Sequence, residues 1–335
     1  MKDRKLAFGM IGCGAYGKVH ARVIRSDPRA TLKALWSPTP AHRAQSAHMY
    51  QCIARDSWQE IVSDPEIDCV SITTPDFAHT EYAVAALSAG KHILLEKPMA
   101  MNTRECRQVI AARDESGKKL MVNYHNRWYP AFIAAKQAIQ TGNIGRPVCG
   151  TFVLSDTISW VEENMRWARG SGPEWFLMSH IADLAFWMLG DTPVEVFAMA
   201  RDGLLKSKGL ETRDLVKAMV KAASGAVLHF ESSWILARNW KNPVNEMRIS
   251  IQCEEGRIDI EADYENLTIT SDQYRTPFTL NNHTEVTPIM DFITCVLEDK
   301  PVPVTGEEGL LATQTIEAIV KSHTEKRVVR INEIV

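Results

Sequence analysis

Several features that would assign this 335-residue chain to a special class of protein are missing. There is no basic excess, because 38 lysines and arginines face 41 aspartates and glutamates, so we expect neither nucleic acid nor an anionic membrane as a partner. There is also no apolar run long enough to span a bilayer and no apolar leader segment, so we expect a cytoplasmic protein. Small molecules are the expected partners.

Cysteines are few and widely scattered. The seven cysteines form no Cys-x-x-Cys pair and have no nearby histidine at ligand spacing. We therefore expect neither a disulfide framework nor a metal site, and we expect most of the thiols to be buried. An apolar share of 45% over 335 residues is that of a globular protein with two domains.

Two patterns of secondary structure divide the chain. From Leu6 to about Val122, short apolar runs alternate with helical stretches, which is typical of βαβ units and a parallel sheet covered on both faces. After Asn123, alternating β-branched strands with one strong helix favour an α+β domain with a mostly antiparallel sheet. The predicted domains are a Rossmann dinucleotide-binding domain at 1–123, a substrate and oligomerisation domain at 124–305, and a helix and tail at 306–335 that return toward the first domain.

The first predicted strand runs directly into a glycine-rich turn that opens a helix. In this turn Gly12 permits the sharp bend, Gly14 lets the backbone approach a pyrophosphate, and Gly17 lets helix and strand pack closely. The helix N-terminus then faces the anion. The sequence therefore predicts a dinucleotide site, and the alternative is a glycine turn with no ligand.

The end of the second strand bears on the choice between NAD and NADP. An acidic residue at this position would accept hydrogen bonds from the ribose 2'-hydroxyl, but the chain has Ser37, with His42 and Arg43 a short way on. The missing carboxylate and the nearby positive charge lean toward NADP. The alternative is that Arg43 is a solvated helix residue and that backbone and water bind the ribose.

A lysine stands at the end of a late apolar strand, in the segment Glu96-Lys97-Pro98. The carboxyl end of such a strand is where a nicotinamide ring would lie. A lysine ammonium there would stabilise alkoxide character as hydride leaves the adjacent carbon. Lys97 therefore makes the chain a candidate hydride-transfer enzyme, and the alternative is a surface lysine before a loop-starting proline.

With these pieces placed, the chain resembles the glucose-fructose oxidoreductase/inositol dehydrogenase/MocA family of NAD(P)-dependent sugar and cyclitol oxidoreductases. The resemblance rests on the glycine turn and on segments 73–79, 89–98 and 126–130. It implies a Rossmann domain followed by an open-faced mixed sheet whose outer face commonly makes oligomer contacts, with sugar bound between nicotinamide and sheet. A homodimer or homotetramer is expected on this basis. The candidate cofactor-binding residues are Gly12, Gly14, Ala15, Tyr16, Gly17, Ser37, Arg43, Thr73, Thr74, Pro75, His79, Glu96 and Lys97.

The chain departs from this family at one position. The family's second signature is an aspartate followed four residues later by a histidine, and here His180 and the later Asp183 are in place but Phe176 occupies the position of the aspartate. His180 remains the candidate general base. It lacks the carboxylate that would orient it and raise its pKa, a role that Asp183 could take in part. The alternative is a structural histidine.

Phe176 also makes its side of the expected pocket more apolar, so the substrate could differ from an ordinary free sugar. Trp160 and Trp167 flank charged residues in a predicted loop over the active site, where functional residues concentrate. The resemblance favours Arg127 among the residues that follow the last Rossmann strand. The candidate substrate-binding residues are Lys97, Tyr124, Arg127, Trp160, Arg166, Trp167, Phe176 and His180.

Three functions remain open from the sequence. The first is a dehydrogenase or reductase acting on a hydroxyl of a sugar, sugar derivative or inositol-like polyol, with Lys97 and His180 as catalytic residues. The second is redox-assisted glycoside cleavage without net change in the cofactor. The third is a cofactor-binding regulator without catalysis, against which the retained Lys97 and His180 argue.

Overall fold

The computed structural model describes residues 4–165, 167–261, 266–271, 275–279 and 286–334. The chain divides into two compact units. The first unit comprises Met1–His125 and Thr284–Leu310, and the second comprises Asn126–His283 and Leu311–Val335. The first boundary falls two residues after the one predicted from the sequence.

The first unit contains a six-stranded parallel sheet. Its strands are β1 (Leu6–Ile11), β2 (Ala30–Trp36), β3 (Ile53–Ala54), β4 (Cys69–Ile72), β5 (His92–Leu95) and β6 (Leu120–Val122). Helices follow the first five strands: α1 (Ala15–Ser26), α2 (Pro40–Tyr50), α3 (Trp58–Ser63), α4 (His79–Ser88) and α5 (Thr103–Ser116). All six residues of β1 are buried, as expected for a central strand covered on both faces. The predicted α/β domain is confirmed.

The strand order of this sheet is β3-β2-β1-β4-β5-β6. The order reverses between β1 and β4, where the chain crosses from one half of the sheet to the other. A doubly wound sheet binds its ligand in the crevice outside the carboxyl ends of the strands at this switch point. Gly12 and Thr73 each follow one of these two strands directly.

The second unit is built on a nine-stranded mixed sheet. Its helices are α6 (Pro130–Gln140), α7 (Ile158–Asn164) and α8 (Ser179–Leu189). Its strands before the C-terminal segment are β7 (Pro147–Thr157), β8 (Pro193–Arg201), β9 (Leu215–Ala222), β10 (Val227–Leu236), β11 (Asn245–Cys253), β12 (Gly256–Glu261), β13 (Asn266–Ser271) and β14 (Arg275–Thr279). Within the described strands the β7–β10 pair is parallel and the other pairs are antiparallel, which confirms the predicted α+β domain.

Strand β9 shows that one face of this sheet is buried and the other is exposed. Its residues alternate between buried and exposed along its length, so one side of the strand faces the core and the other faces outward. The strand order is β14-β13-β12-β11-β7-β10-β9-β8-β15, in which β15 (Val329–Arg330) comes from the C-terminal segment.

The C-terminal segment differs from its predicted path. Helix α9 (Thr287–Leu297) and the start of α10 (Gly306–Glu325) group with the first unit, whereas the rest of α10 and the tail group with the second unit. The reason is local pairing, because β15 hydrogen-bonds to the edge strand β8 and the Ser322 hydroxyl accepts a hydrogen bond from the Ala198 amide at 2.9 Å. The tail thereby completes an edge of the second sheet.

All seven cysteines are free thiols, and five of them are buried, as predicted. Among the described residues, every helix is too short or too polar to cross a bilayer.

Candidate active site

The glycine turn after β1 forms an open cradle at the start of α1. Gly12 has φ of +105°, and a side chain there would lie 2.6 Å from the Thr73 carbonyl oxygen. A Cβ on Gly17 would lie 2.7 Å from the Gly12 carbonyl oxygen, whereas a Cβ on Gly14 would meet no atom within 4 Å. The first turn of α1, from Ala15, has no side-chain cap. This space beside uncapped backbone N–H groups fits a pyrophosphate.

The loop after β4 lies against the Gly12 backbone. The Thr73 hydroxyl donates a hydrogen bond to the Gly12 carbonyl at 3.0 Å. Further along this loop, the buried His79 ring contacts two carbonyl oxygens, that of Pro98 at 2.7 Å and that of Thr74 at 3.0 Å. Burial lowers the pKa of His79. His79 thus joins the loop of Thr74 and Pro75 to the turn after β5, while its predicted contact with cofactor stays a prediction.

Arg43, which follows β2 in the chain, has an acidic partner that was not predicted from the sequence. Arg43 forms an ion pair with Asp56 at 2.9 Å and also donates to its carbonyl oxygen at 3.4 Å. Ser37 is buried beside the end of the strand. The positive charge predicted to favour a 2'-phosphate is therefore partly balanced by a neighbouring carboxylate.

A buried polar network lies under the turn that carries Lys97. The Glu96 carboxylate contacts the His20 Nε2 atom at 2.9 Å and accepts a hydrogen bond from the Asn123 amide at 2.6 Å. His20 contacts the Ser71 hydroxyl through its other ring nitrogen at 2.8 Å. The Lys97 backbone N–H donates to Glu96 at 3.3 Å. The network therefore connects α1, β4, β5 and the residue after β6 directly beneath the candidate catalytic lysine.

Neither His20 nor Asn123 was predicted from the sequence as a site residue. His20 could have been found, because it lies on the face of α1 that also buries Gly17, Ala21 and Ile24, and a histidine on a buried helix face needs a polar partner. Asn123 follows the last strand of the Rossmann sheet and carries no local signal of its own. Its partner becomes clear only when β5 and β6 pair.

The charge state of Glu96 follows from these contacts. Burial opposes its ionisation, but contacts with His20 and Asn123 and the nearby His125 outweigh burial and lower the pKa to about 2. Burial lowers the pKa of His125 to about 4. The turn therefore holds an ionised carboxylate at neutral pH directly before Lys97, whose side chain is itself mostly buried.

Two aromatic residues that were predicted to bind cofactor or substrate, Tyr16 and Tyr124, lie in the first unit. The Tyr16 ring, at the start of α1, lies 5.9 Å from the ring of His125. Tyr124 is fully buried. The substrate contact predicted for Tyr124 and the cofactor contact predicted for Tyr16 stay predictions.

In the second unit, His180 lies in the first turn of α8, directly after a π-helical segment at Glu174–Met178. Such segments occur frequently at functional sites. The Asn126 amide nitrogen lies 3.3 Å from the Nδ1 atom of His180, which is largely buried. An amide presents a donor on one side and an acceptor on the other, so Asn126 can serve either tautomer of this ring. Asn126 is therefore a polar neighbour that can orient the His180 ring.

Asp183, expected as a partial substitute for that aspartate, has another partner. Its two carboxylate oxygens accept hydrogen bonds from one edge of the Arg127 guanidinium, from Nε at 2.9 Å and from Nη2 at 2.5 Å. The same guanidinium lies 5.6 Å from the centre of the Trp187 ring. This buried bidentate pair fastens α8 to the turn after residue 125. The observed contact of Arg127 is with Asp183, and its direct contact with substrate stays a prediction.

Phe176 stands at the centre of an aromatic cluster, which we define as Trp160, Trp167, Phe176 and Trp234. The Phe176 ring centre lies 6.1 Å from Trp160, 5.9 Å from Trp167 and 6.1 Å from Trp234. The first three rings are partly exposed, whereas Trp234 is fully buried. These edge and tilted arrangements are the favoured geometries of aromatic pairs.

The predicted loop around Trp160 is wrong in its first part. Residues 158–164 form α7, which Thr157 caps by accepting a hydrogen bond from the Trp160 amide at 3.4 Å. The helix is also held by Glu162, which pairs with Lys208 at 3.1 Å and with Arg238. Arg166, predicted to bind substrate, lies outside the described residues.

Glu174, at the start of the π-helical segment, is a second buried carboxylate. It pairs with Arg213 and folds back so closely that a Cβ on Gly172 would lie 2.4 Å from its Oε2 atom. Burial raises the pKa of Glu174 against the attraction of Arg213. Glu174 was not predicted as a site residue, because a glutamate that follows proline at the start of a helix is usually exposed to solvent.

A glycine cradle at the switch point of a parallel sheet, followed by a second domain on a mixed sheet, defines the class of two-domain dinucleotide-binding proteins. Residues 6–124 match a family model described as "Oxidoreductase family, NAD-binding Rossmann fold", and residues 132–259 match the GFO/IDH/MocA C-terminal domain. The chain belongs to the GFO/IDH/MocA family of oxidoreductases, which confirms the resemblance seen in the sequence.

Individual relatives cover from three quarters to nearly all of the chain. It is 28% identical to an inositol 2-dehydrogenase from Rhizobium meliloti over 97% of this chain and 98% of that protein. It is also 28% identical to a levoglucosan dehydrogenase from Pseudarthrobacter phenanthrenivorans over 76% of this chain and 73% of that protein. The crystal structure of an NAD binding oxidoreductase from Klebsiella pneumoniae, 25% identical, superposes with a TM-score of 0.85 over 98% of this chain and 99% of that one.

Proposed function

We propose that this protein is an NAD(P)-dependent oxidoreductase that transfers hydride between the nicotinamide and a CH–OH carbon of a sugar, sugar derivative or inositol-like polyol. The observation that carries the proposal is the position of Lys97. It follows β5 and is supported by the buried Glu96 network, in the same sheet whose switch point carries the glycine cradle. The names of the relatives, inositol and levoglucosan dehydrogenases, support the substrate class.

Each catalytic candidate has a separate proposed task. When bound, the nicotinamide supplies the hydride acceptor or donor. The Lys97 ammonium donates a hydrogen bond to the reacting oxygen and stabilises its developing negative charge. His180 moves the hydroxyl proton, with Asn126 holding its ring. The uncapped backbone N–H groups at the start of α1 bind the pyrophosphate.

Two cofactors fit the proposal, and NADP keeps a slight advantage. Ser37 places no carboxylate at the end of β2, so a 2'-phosphate meets no repulsion from that residue. The pairing of Arg43 with Asp56 reduces this advantage. Michaelis constants for NAD⁺ and NADP⁺ with the same substrate measure the preference directly.

The proposal is tested by one assay with two readouts. Purified protein is incubated with NAD⁺ or NADP⁺ and a panel of sugars, inositols and glycosides, while reduced nicotinamide is followed by absorbance and products by chromatography. Steady formation of reduced cofactor, lost in Lys97→Ala, is the expected result. Glycoside cleavage without net reduced cofactor would replace the proposal with redox-assisted cleavage. Cofactor binding without any turnover would replace it with a regulatory role.

We also propose that the protein is a homo-oligomer assembled through the outer face of the second sheet. Strands β8 and β9 expose Phe197, Met199 and Met219 on this face, and Phe197 lies directly opposite Met219. Clustered exposed apolar side chains mark association surfaces. Light scattering after size-exclusion chromatography should give a dimer or tetramer mass that falls in Met199→Lys with Met219→Lys. A monomeric wild-type protein would contradict this proposal.

A further inference from the structure

The aromatic cluster around Phe176 is the part of the second unit that composition alone does not explain. Four aromatic rings meet at the start of the segment that carries His180, and three of them keep part of their surface exposed. Trp234, at the base of the cluster, is by contrast fully buried. Partial exposure of three contacting rings leaves an apolar surface for a ligand.

The Phe176 ring presents apolar carbon atoms to its surroundings. The Trp234 indole N–H beside it has no hydrogen-bond partner among the described residues. Asp183, on the same helix as His180, forms a bidentate ion pair with Arg127. A substrate hydroxyl placed directly against the Phe176 ring would exchange its hydrogen bond to water for contact with ring carbons, which is unfavourable.

We propose that the cluster is a subsite for a hydrophobic substituent, so that the substrate is an O-substituted sugar or polyol, such as an aryl or alkyl glycoside, rather than the free hydroxyl compound. This inference rests on the proposed function and names its substrate class. The substituent stacks on Phe176 and Trp167, with Trp160 at the side. Phe176 is then the residue that determines specificity, because it contacts the other three rings of the cluster and stands four positions before His180.

The neighbouring structure holds the cluster ready for such a ligand. Helix α7, which carries Trp160, is fixed at its start by the Thr157 cap and along its length by the ion pairs of Glu162. The π-helical segment that carries Phe176 is fixed at its start by the buried Glu174 and Arg213 pair. Rings that are held in place before binding lose little entropy when a ligand stacks on them.

The inference is tested with matched probes, each sugar or inositol being supplied as the free compound, its methyl ether or glycoside, and its phenyl ether or glycoside. Steady-state constants are measured on the whole protein with saturating cofactor. Wild-type protein should have a KM about tenfold lower for the phenyl probe than for the free compound. Phe176→Leu and Trp167→Leu should each remove most of this difference in KM between the phenyl probe and the free compound.

Two further variants separate a binding role from a structural one. Phe176→Asp should reverse the preference, because it replaces an apolar surface with an acceptor for hydroxyls. Phe186→Leu is the matched control, since its ring packs on Phe230 in the core 6.3 Å away and not in the cluster, so it should leave the preference unchanged. Equal KM values for phenyl and free probes in the wild type, or an unchanged preference in Phe176→Leu, would overturn the inference.

The failure of this inference is distinguishable from failure of the proposed function. Turnover of free sugars or inositols without preference for the phenyl probes would support the oxidoreductase function and contradict only the hydrophobic subsite. Absence of reduced nicotinamide with every probe would remove the proposed function, and the subsite with it.

Discussion

The two units of the chain hold their buried carboxylates differently. In the Rossmann unit, Glu96 is surrounded by hydrogen-bond partners on three elements, and its pKa is lowered to about 2. In the second unit, the Glu174 carboxylate pairs with Arg213, and burial raises its pKa. In the first unit an ionised carboxylate therefore stands directly before Lys97, whereas in the second unit the Phe176 ring stands four residues before His180. The comparison shows that several polar contacts keep one buried carboxylate charged, whereas burial outweighs the attraction of Arg213 at the other.

Removal of the Lys97 amine should have the largest effect. Lys97→Ala should lower kcat/KM about 10³-fold, because the developing charge on the reacting oxygen loses its stabilising donor. Cofactor dissociation constants, measured by fluorescence titration, should change far less. Lys97→Arg serves as the charge-retaining control. A loss in the alanine variant of under tenfold would remove Lys97 from the catalytic machinery.

Disruption of the network beneath Lys97 should destabilise the Rossmann unit. Glu96→Ala leaves His20 and Asn123 without their buried acceptor, which should cost about 3 kcal/mol of unfolding free energy. Urea unfolding followed by circular dichroism measures this change. Glu96→Gln keeps the shape and one acceptor, so it should recover part of the loss. Equal stability of the alanine variant and the wild type would show that the network contributes nothing.

Opposite pH dependence of the two carboxylates would sharpen the comparison. The folded-state pKa of Glu96 lies at about 2, below its ordinary value of 4.5, so its contribution is present above pH 4.5 and is lost as the pH falls toward 2. The folded-state pKa of Glu174 is raised, so its contribution is present below its ordinary pKa and is lost as the pH rises through the raised value.

The unfolding free energy measured from pH 2 to 7 distinguishes these signs. Glu96→Gln should flatten the acid limb of the curve, and Glu174→Gln should reduce the decline at higher pH. Parallel curves for both variants and the wild type would show that neither carboxylate is perturbed as described.

Cofactor preference should respond by the smallest amount. Asp56→Asn releases Arg43 from its exposed ion pair, so the ratio of kcat/KM for NADP⁺ to that for NAD⁺ should rise about threefold to fivefold. Ser37→Asp should move the ratio in the opposite direction, because it restores a carboxylate that repels the 2'-phosphate. If the ratio of the two kcat/KM values is the same in both variants as in the wild type, this end of β2 does not contact the ribose.

Much of the fold was predictable because it depends on local patterns. The parallel sheet of the first unit and the mostly antiparallel sheet of the second follow the patterns predicted from the sequence, and the glycine turn lies at the switch point. Helix α7 was missed because it is short and its cap is a single threonine. The tail was misplaced because pairing of β15 with β8 joins residues more than a hundred positions apart.

The site was predictable to a smaller extent. Lys97, His180 and the missing carboxylate at Phe176 carry motif signals, but the partners that define their environment do not. Asn126 meets His180, and Arg127 meets Asp183, through contacts between α8 and a distant turn. The packing of the folded chain decides which polar residues meet. A single sequence does not contain that packing geometry.

The central claim is hydride transfer to a nicotinamide, and isotope transfer tests it most directly. A substrate identified by the panel is deuterated at its carbinol carbons, and the reduced cofactor is analysed by mass spectrometry after one turnover. The account predicts one deuterium on the nicotinamide ring in the wild type, and the same label formed about 10³-fold more slowly in Lys97→Ala. Product formed with an unlabelled cofactor ring would contradict it.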